Sequence, residues 1–169
     1  MAERQAAIVG VYEHPLRMAP GRSAMQLKIE SIHGALADAG LTLNDVDAVY
    51  DASEAEGGAG LGLSAYLGIK PRLIDTTAVG GSSYEFHAAH AARDIAAGRA
   101  KVALLSYGSN AASYRRPIGT GNVTGAGQPT WQNNMEDPYG MTLIAGDAMV
   151  AHRHMHQYGT RSEDLARIS

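Results

Sequence analysis

Cysteine is absent from the 169 residues. Within this chain that excludes disulfides, thiolate–zinc sites and covalent catalysis by a thiol. Aromatic residues are few, with one Phe and one Trp, while Gly is abundant and charge content is ordinary. That balance describes one soluble globular unit or part of a larger one. Neither sign of charge dominates: the formal net charge is −3 and Lys and Arg do not cluster, so neither nucleic acid nor an anionic membrane surface is an expected partner. Long apolar runs are also missing. The N-terminus passes into a short strand-like stretch instead of a signal-peptide core, and the expected location is the cytosol.

The segments that are present alternate in kind. Ala6–Tyr12 reads AAIVGVY, a Val/Ile-rich run of strand type that Pro15 ends. Ser23 and Gln26 form a capping-box signature, and Met25, Ile29, Ile32 and Leu36 recur at helical spacing up to a stop at Gly40. Val46–Tyr50 is a second strand candidate, followed by a Gly-rich stretch from Gly57 to Gly62 and a short helix ending near Gly68. A third strand fits Leu73–Thr77. Gly80-Gly81-Ser82-Ser83 then leads into a helix with Tyr84, Ala88, Ala91 and Ile95 on one face and Gly98 as its stop, and Val102–Ser106 is the most apolar strand.

From Asn110 to Tyr139 the pattern dissolves into Gly, Pro, Asn, Thr and Ser. A loop of that length is expected to be a lid, a partner surface or a dimer contact. Helical spacing resumes over Thr142–Tyr158, and Ser162 is placed as the cap of a last helix. Strands alternating with helices predict an α/β layered fold of βαβαβ type with a mainly parallel sheet, because parallel neighbours need crossover connections. A chain that stops at Ser169, one turn into a newly capped helix, reads as an incomplete lobe.

Four constellations carry possible chemistry. Consecutive glycines at Gly80 and Gly81 let another group approach the backbone, and the helix start beyond them offers unpaired N–H donors to an oxyanion or carboxylate, so Gly80, Gly81, Ser82 and Ser83 are the candidate substrate-binding residues. The plainer reading is a tight turn with an ordinary serine cap. Ser83, His87 and Asp75 can be drawn as a nucleophile, base and orienter, although a capping serine is committed to backbone and the Gly-x-Ser-x-Gly elbow is missing. His152, His154 and His156 contain an i,i+4 pair, but Arg153 stands where a zincin needs glutamate, and the expectation is a polar helix face with no metal. Gly58, Gly60 and Gly62 resemble part of a dinucleotide fingerprint, but no third glycine falls at the right spacing, and no cofactor is expected. Asp51, Glu54 and Glu56 are read as a solvated loop.

With these elements placed, the chain resembles the thiolase superfamily, and specifically its sterol-carrier or lipid-transfer-type branch. AAIVGVYEHP, the capped helix and DAGLTLNDVDAVY resemble the thiolase start; DIAAGRAKVALLSYGSNAAS and HRHMHQYGTRSEDLARIS resemble later segments in the same order. In thiolases the nucleophilic cysteine opens the helix that ends in an Ala-Ala-Gly turn. Counting back from Ala96-Ala97-Gly98 puts that position at Gly81, so the resemblance implies a thiolase-like lobe without its thiol. It further implies retro-aldol cleavage of a β-hydroxyacyl-CoA from a steroid or other lipid side chain, with CoA present only as part of the substrate thioester. A homodimer, an OB-fold, zinc-ribbon partner subunit and a general base beyond Ser169 belong to the same implication. A non-catalytic acyl-CoA or lipid-binding scaffold and a serine-dependent acyltransferase are the alternatives.

Overall fold

A computed structural model describes residues 6–52, 60–113 and 143–167. The chain divides into two compact units, Met1–Arg115 and Arg116–Ser169. In the first unit, helix α1 spans Ala24–Ala39, strand β1 Ala48–Tyr50, helix α2 Gly60–Leu67, strand β2 Leu73–Asp75, helix α3 Ser83–Ala96 and strand β3 Ala103–Leu105. The three strands form a parallel sheet in the order β2-β1-β3, with Val49 opposite Ile74 on one side and Leu104 on the other. The layered α/β architecture expected from the alternation is the one observed.

Local signals set the first helix. Ser23 Oγ accepts from the Gln26 N–H at 3.1 Å, while the Ser23 N–H donates to Gln26 Oε1 at 2.8 Å, closing the capping box. At the other end Gly40 takes a left-handed conformation, φ 66°, that a side chain would resist. Between them Met25, Ile32 and Leu36 are buried against Val46, Val49, Leu63 and Leu104. A second cluster, Ala48, Tyr50, Ala91 and Ala100, packs α3 on the opposite face of the sheet.

Three expectations about the packing of this first unit need correction. Ala6–Tyr12 joins no ladder. The Val11 N–H bonds the Asp38 carboxylate at 2.9 Å, Gly10 presses on Ala35 and Ala39, and the Tyr12 ring covers Gly34, so contacts along α1 replace pairing with a strand. A cavity of about 510 Å³ is lined on one side by residues 10–14 and on others by Leu27, Ile32 and Leu104. Second, the buried stripe of α3 is Ser83, His87, Ala91 and Asp94, while Ala88 is exposed and Tyr84 and Ile95 are half-buried. Third, Asp51 is buried in an ion pair with Lys28 instead of standing in solvent.

The second unit contributes helix α4, Leu143–Tyr158, and helix α5, Ser162–Ala166. Arg161, not Ser162, occupies the cap position of α5, its N–H bonding Asp164 Oδ2 at 3.0 Å. The excursion predicted from Asn110 onward, the Gly-rich stretch and Glu54 and Glu56 lie outside the described residues apart from 110–113 and 60–62. No helix among the described residues is long and apolar enough to cross a membrane.

Candidate functional site

A parallel sheet gathers the C-terminal ends of its strands on one edge, where α/β proteins place their ligand sites. Here the chain leaves β2 at Asp75, turns through Thr76–Ser82 and enters α3. Gly80 holds φ 82°, and Val79 and Gly81 form an isolated bridge across the turn. Ser83 is fully buried: its Oγ donates to the Gly80 carbonyl at 2.5 Å and accepts the Val79 N–H at 2.9 Å. Ser83 therefore braces the turn and has no free hydroxyl to attack a substrate.

Ser82 occupies the cap position of α3, is exposed and makes no side-chain cap bond. The Ser83 N–H is spent on the Gly80 carbonyl at 3.0 Å, while the positive end of the helix dipole at this start still favours an anion or polarised carbonyl. Gly81 stands beside it with open space around it. A Cβ built there meets nothing within 4 Å, and its φ lies outside the left-handed region. Gly80, Gly81 and Ser82 are thus the exposed part of the four-residue candidate, and Ser83 is its buried support.

The imagined Ser83–His87–Asp75 relay is not assembled. His87 Nε2 bonds the Thr77 carbonyl at 2.9 Å. Asp75 instead pairs with His90, Oδ2 to Nδ1 at 2.6 Å, while its other oxygen accepts the Thr77 N–H at 2.8 Å and the Thr77 hydroxyl at 2.7 Å. Burial pushes the Asp75 carboxyl up, but the Thr77 and His90 hydrogen bonds outweigh it and hold the group below the usual carboxylate range.

Residues that sequence reasoning missed, Lys28, Tyr50, Asp94 and Arg99, lie around this edge, together with Asp51. Lys28 Nζ and Asp51 Oδ2 meet at 2.7 Å with both side chains inside, beneath the end of β1. Tyr50, also buried, donates its hydroxyl to Asp94 Oδ2 at 2.6 Å, and Arg99 bonds the other Asp94 oxygen. The Tyr50 bond holds the Asp94 carboxyl low against the opposing effect of burial, with Arg99 adding to it. Burial and the same bond push the Tyr50 phenol far above its ordinary value. The visible clue is the i, i+3, i+7 spacing of His87, His90 and Asp94, which places polar side chains along one side of α3.

The sign of that coupling gives a prediction. A carboxyl depressed on folding stabilises the fold above the unfolded carboxylate pKa of about 3.9, and the stabilisation disappears as pH falls through the folded value. Tyr50→Phe removes the main cause, so acid unfolding followed by circular dichroism is expected to begin at higher pH, with about 1–3 kcal/mol lost near neutrality as buried Asp94 loses a donor. An unchanged acid transition would show that the bond carries no such coupling.

Among the described residues no three His, Asp or Glu side chains converge as a metal site. His152, His154 and His156 are exposed, and His154 Nδ1 lies 3.0 Å from Thr160 Oγ1.

No family model matches the chain. Over its whole length it is 30% identical to a 17-hydroxy-3-oxo-4-pregnene-20-carboxyl-CoA lyase of Mycobacterium tuberculosis, 45% of which it covers. It is also 30% identical over 168 residues to a steroid side-chain-cleaving aldolase of Thermomonospora curvata, covering 97% of this chain and 43% of that protein. A solved structure of an Ltp2-ChsH2(DUF35) aldolase superposes with a TM-score of 0.78 and 28% identity, over 96% of this chain and 41% of its counterpart. The chain spans less than half the length of the curated relatives it matches.

Proposed function

We propose that this chain is the N-terminal, thiolase-like lobe of a cytosolic lyase that cleaves a steroid or similar lipid β-hydroxyacyl-CoA by retro-aldol chemistry. The observation that carries the reading is the similarity to a steroid carboxyl-CoA lyase and to a steroid side-chain-cleaving aldolase across nearly every residue of this chain. The open glycine beside an uncapped helix start supports it.

In the reaction a base removes the β-hydroxyl proton and the resulting alkoxide forms a ketone as the Cα–Cβ bond breaks. The bonding pair passes into the thioester as an enolate, which is then protonated at Cα. No acyl-enzyme forms, so a thiol is unnecessary. The thioester oxygen, which gains charge in the transition state, is the group that the start of α3 suits, because the fixed helix dipole there needs no reorganisation. Gly81 leaves room for substitution at the β carbon. The general base is assigned to none of the residues of this chain, and the protein works as a homodimer with an OB-fold, zinc-ribbon partner subunit. The relative solved as an Ltp2-ChsH2(DUF35) aldolase motivates that last assignment.

The native protein, purified with whatever co-purifies, should convert a β-hydroxyacyl-CoA whose β carbon is a tertiary alcohol into a ketone and a shorter acyl-CoA in equal amounts, without added CoA. Saturable acyl-CoA binding with no product would favour the scaffold reading and sink the lyase. The serine-acyltransferase reading loses Ser83, which is consumed in the turn, and rests on exposed Ser82; a covalent acyl adduct on serine in the intact mass would favour it over the lyase.

A further inference from the structure

We propose that His87 is a positioning residue for the Gly80–Ser82 site, fixing the turn from below through its bond to the Thr77 carbonyl; this rests on the reading of that turn as the substrate site. A carbonyl oxygen only accepts, so the 2.9 Å contact requires the proton on Nε2. Nδ1 is buried and has no hydrogen bond to protein. The ring is fully buried, 6.0 Å from Tyr50 and 5.7 Å edge-on to Tyr84. A leucine or phenylalanine would fill that volume without leaving a buried nitrogen unsatisfied. What histidine adds is the bond to Thr77.

That bond completes a set of ties. Thr77 is held through its N–H by Asp75 and through its carbonyl by His87. Val79 is held through its N–H by Ser83 Oγ, and the Gly80 carbonyl accepts from both Ser83 Oγ and the Ser83 N–H. Every tie comes from the end of β2 or the first two turns of α3. Gly81 and Ser82, the exposed pair, carry no side-chain tether and take their position from these neighbours. His87 therefore sets where residue 81 stands relative to the positive end of α3, one turn away from any substrate.

Because the chain has no cysteine, a single introduced thiol reports on this position without background. Gly81→Cys is the reporter, and Ala92→Cys, exposed in the middle of α3, is the control. The rate of alkylation by iodoacetamide is measured for each, as a ratio, in the full-length protein carrying His87, His87→Gln or His87→Leu. A thiol at a helix start has a depressed pKa, so with His87 in place the ratio is expected near tenfold, one pKa unit being a factor of ten in thiolate. His87→Leu should bring the ratio toward one, and His87→Gln, whose amide can donate to the Thr77 carbonyl, should restore most of it.

A ratio of one already in the His87 protein would overturn the reading of the turn as an anion-receptive site. A ratio identical in His87 and His87→Leu proteins, whatever its value, would overturn the positioning role. Should His87→Leu fail to fold, nitrogen NMR of the unsubstituted protein decides: a slowly exchanging His87 Nε2–H is expected, and a ring protonated only at Nδ1 sinks the proposal.

Discussion

Lys28→Met is expected to remove about 3–5 kcal/mol of stability, the usual result of stripping one partner from a buried ion pair. Lys28 and Asp51 are 1% and 0% exposed, so the remaining carboxylate has no water to turn to. A domain of ordinary stability holds only about 5–15 kcal/mol in total, and much of the population would unfold under mild denaturant. The double variant Lys28→Met with Asp51→Leu should recover a large part of the loss, because two well-packed apolar side chains need no desolvation of charge. Urea melts of the single and double variants measure both terms. Equal destabilisation in the two would mean that Asp51 matters through something other than its charge pairing.

Gly81→Leu, by contrast, should leave the melting temperature almost unmoved while lowering aldol cleavage by about a hundredfold, the scale of effect seen when a reacting group is misplaced by about 1 Å. The open space and ordinary φ at residue 81 make the variant tolerable to the fold. Gly80→Leu is the informative contrast: φ 82° penalises any side chain by about 1–2 kcal/mol, so it should lose stability as well as turnover. Cleavage unaffected by Gly81→Leu would remove this residue from the substrate's path.

What could be read in the sequence follows the range of each interaction. The capping box at Ser23 and Gln26 and the stops at Gly40 and Gly68 are local, and the structure places them where their spacing does. Strand pairing depends on partners far along the chain. Ala6–Tyr12 has strand composition, yet Asp38 and the small residues of α1 take it instead. Hydropathy selects Tyr84, Ala88, Ala91 and Ile95 for α3; Ala91 is buried, but the rest of the buried side is polar and satisfied by distant groups, His87 by Thr77 and Asp94 by Tyr50. Lys28 and Asp51 are 23 residues apart and carry no pattern that links them. At the candidate site the glycines and the helix start were legible, but the division between exposed Gly81 and Ser82 and buried Ser83 required coordinates.

The bracing of the turn by Ser83 leaves the side-chain position of residue 81 with no packing duty. A substitution there can therefore alter what the turn presents to its surroundings while the turn keeps its shape, so chemistry and architecture are separable at this one position.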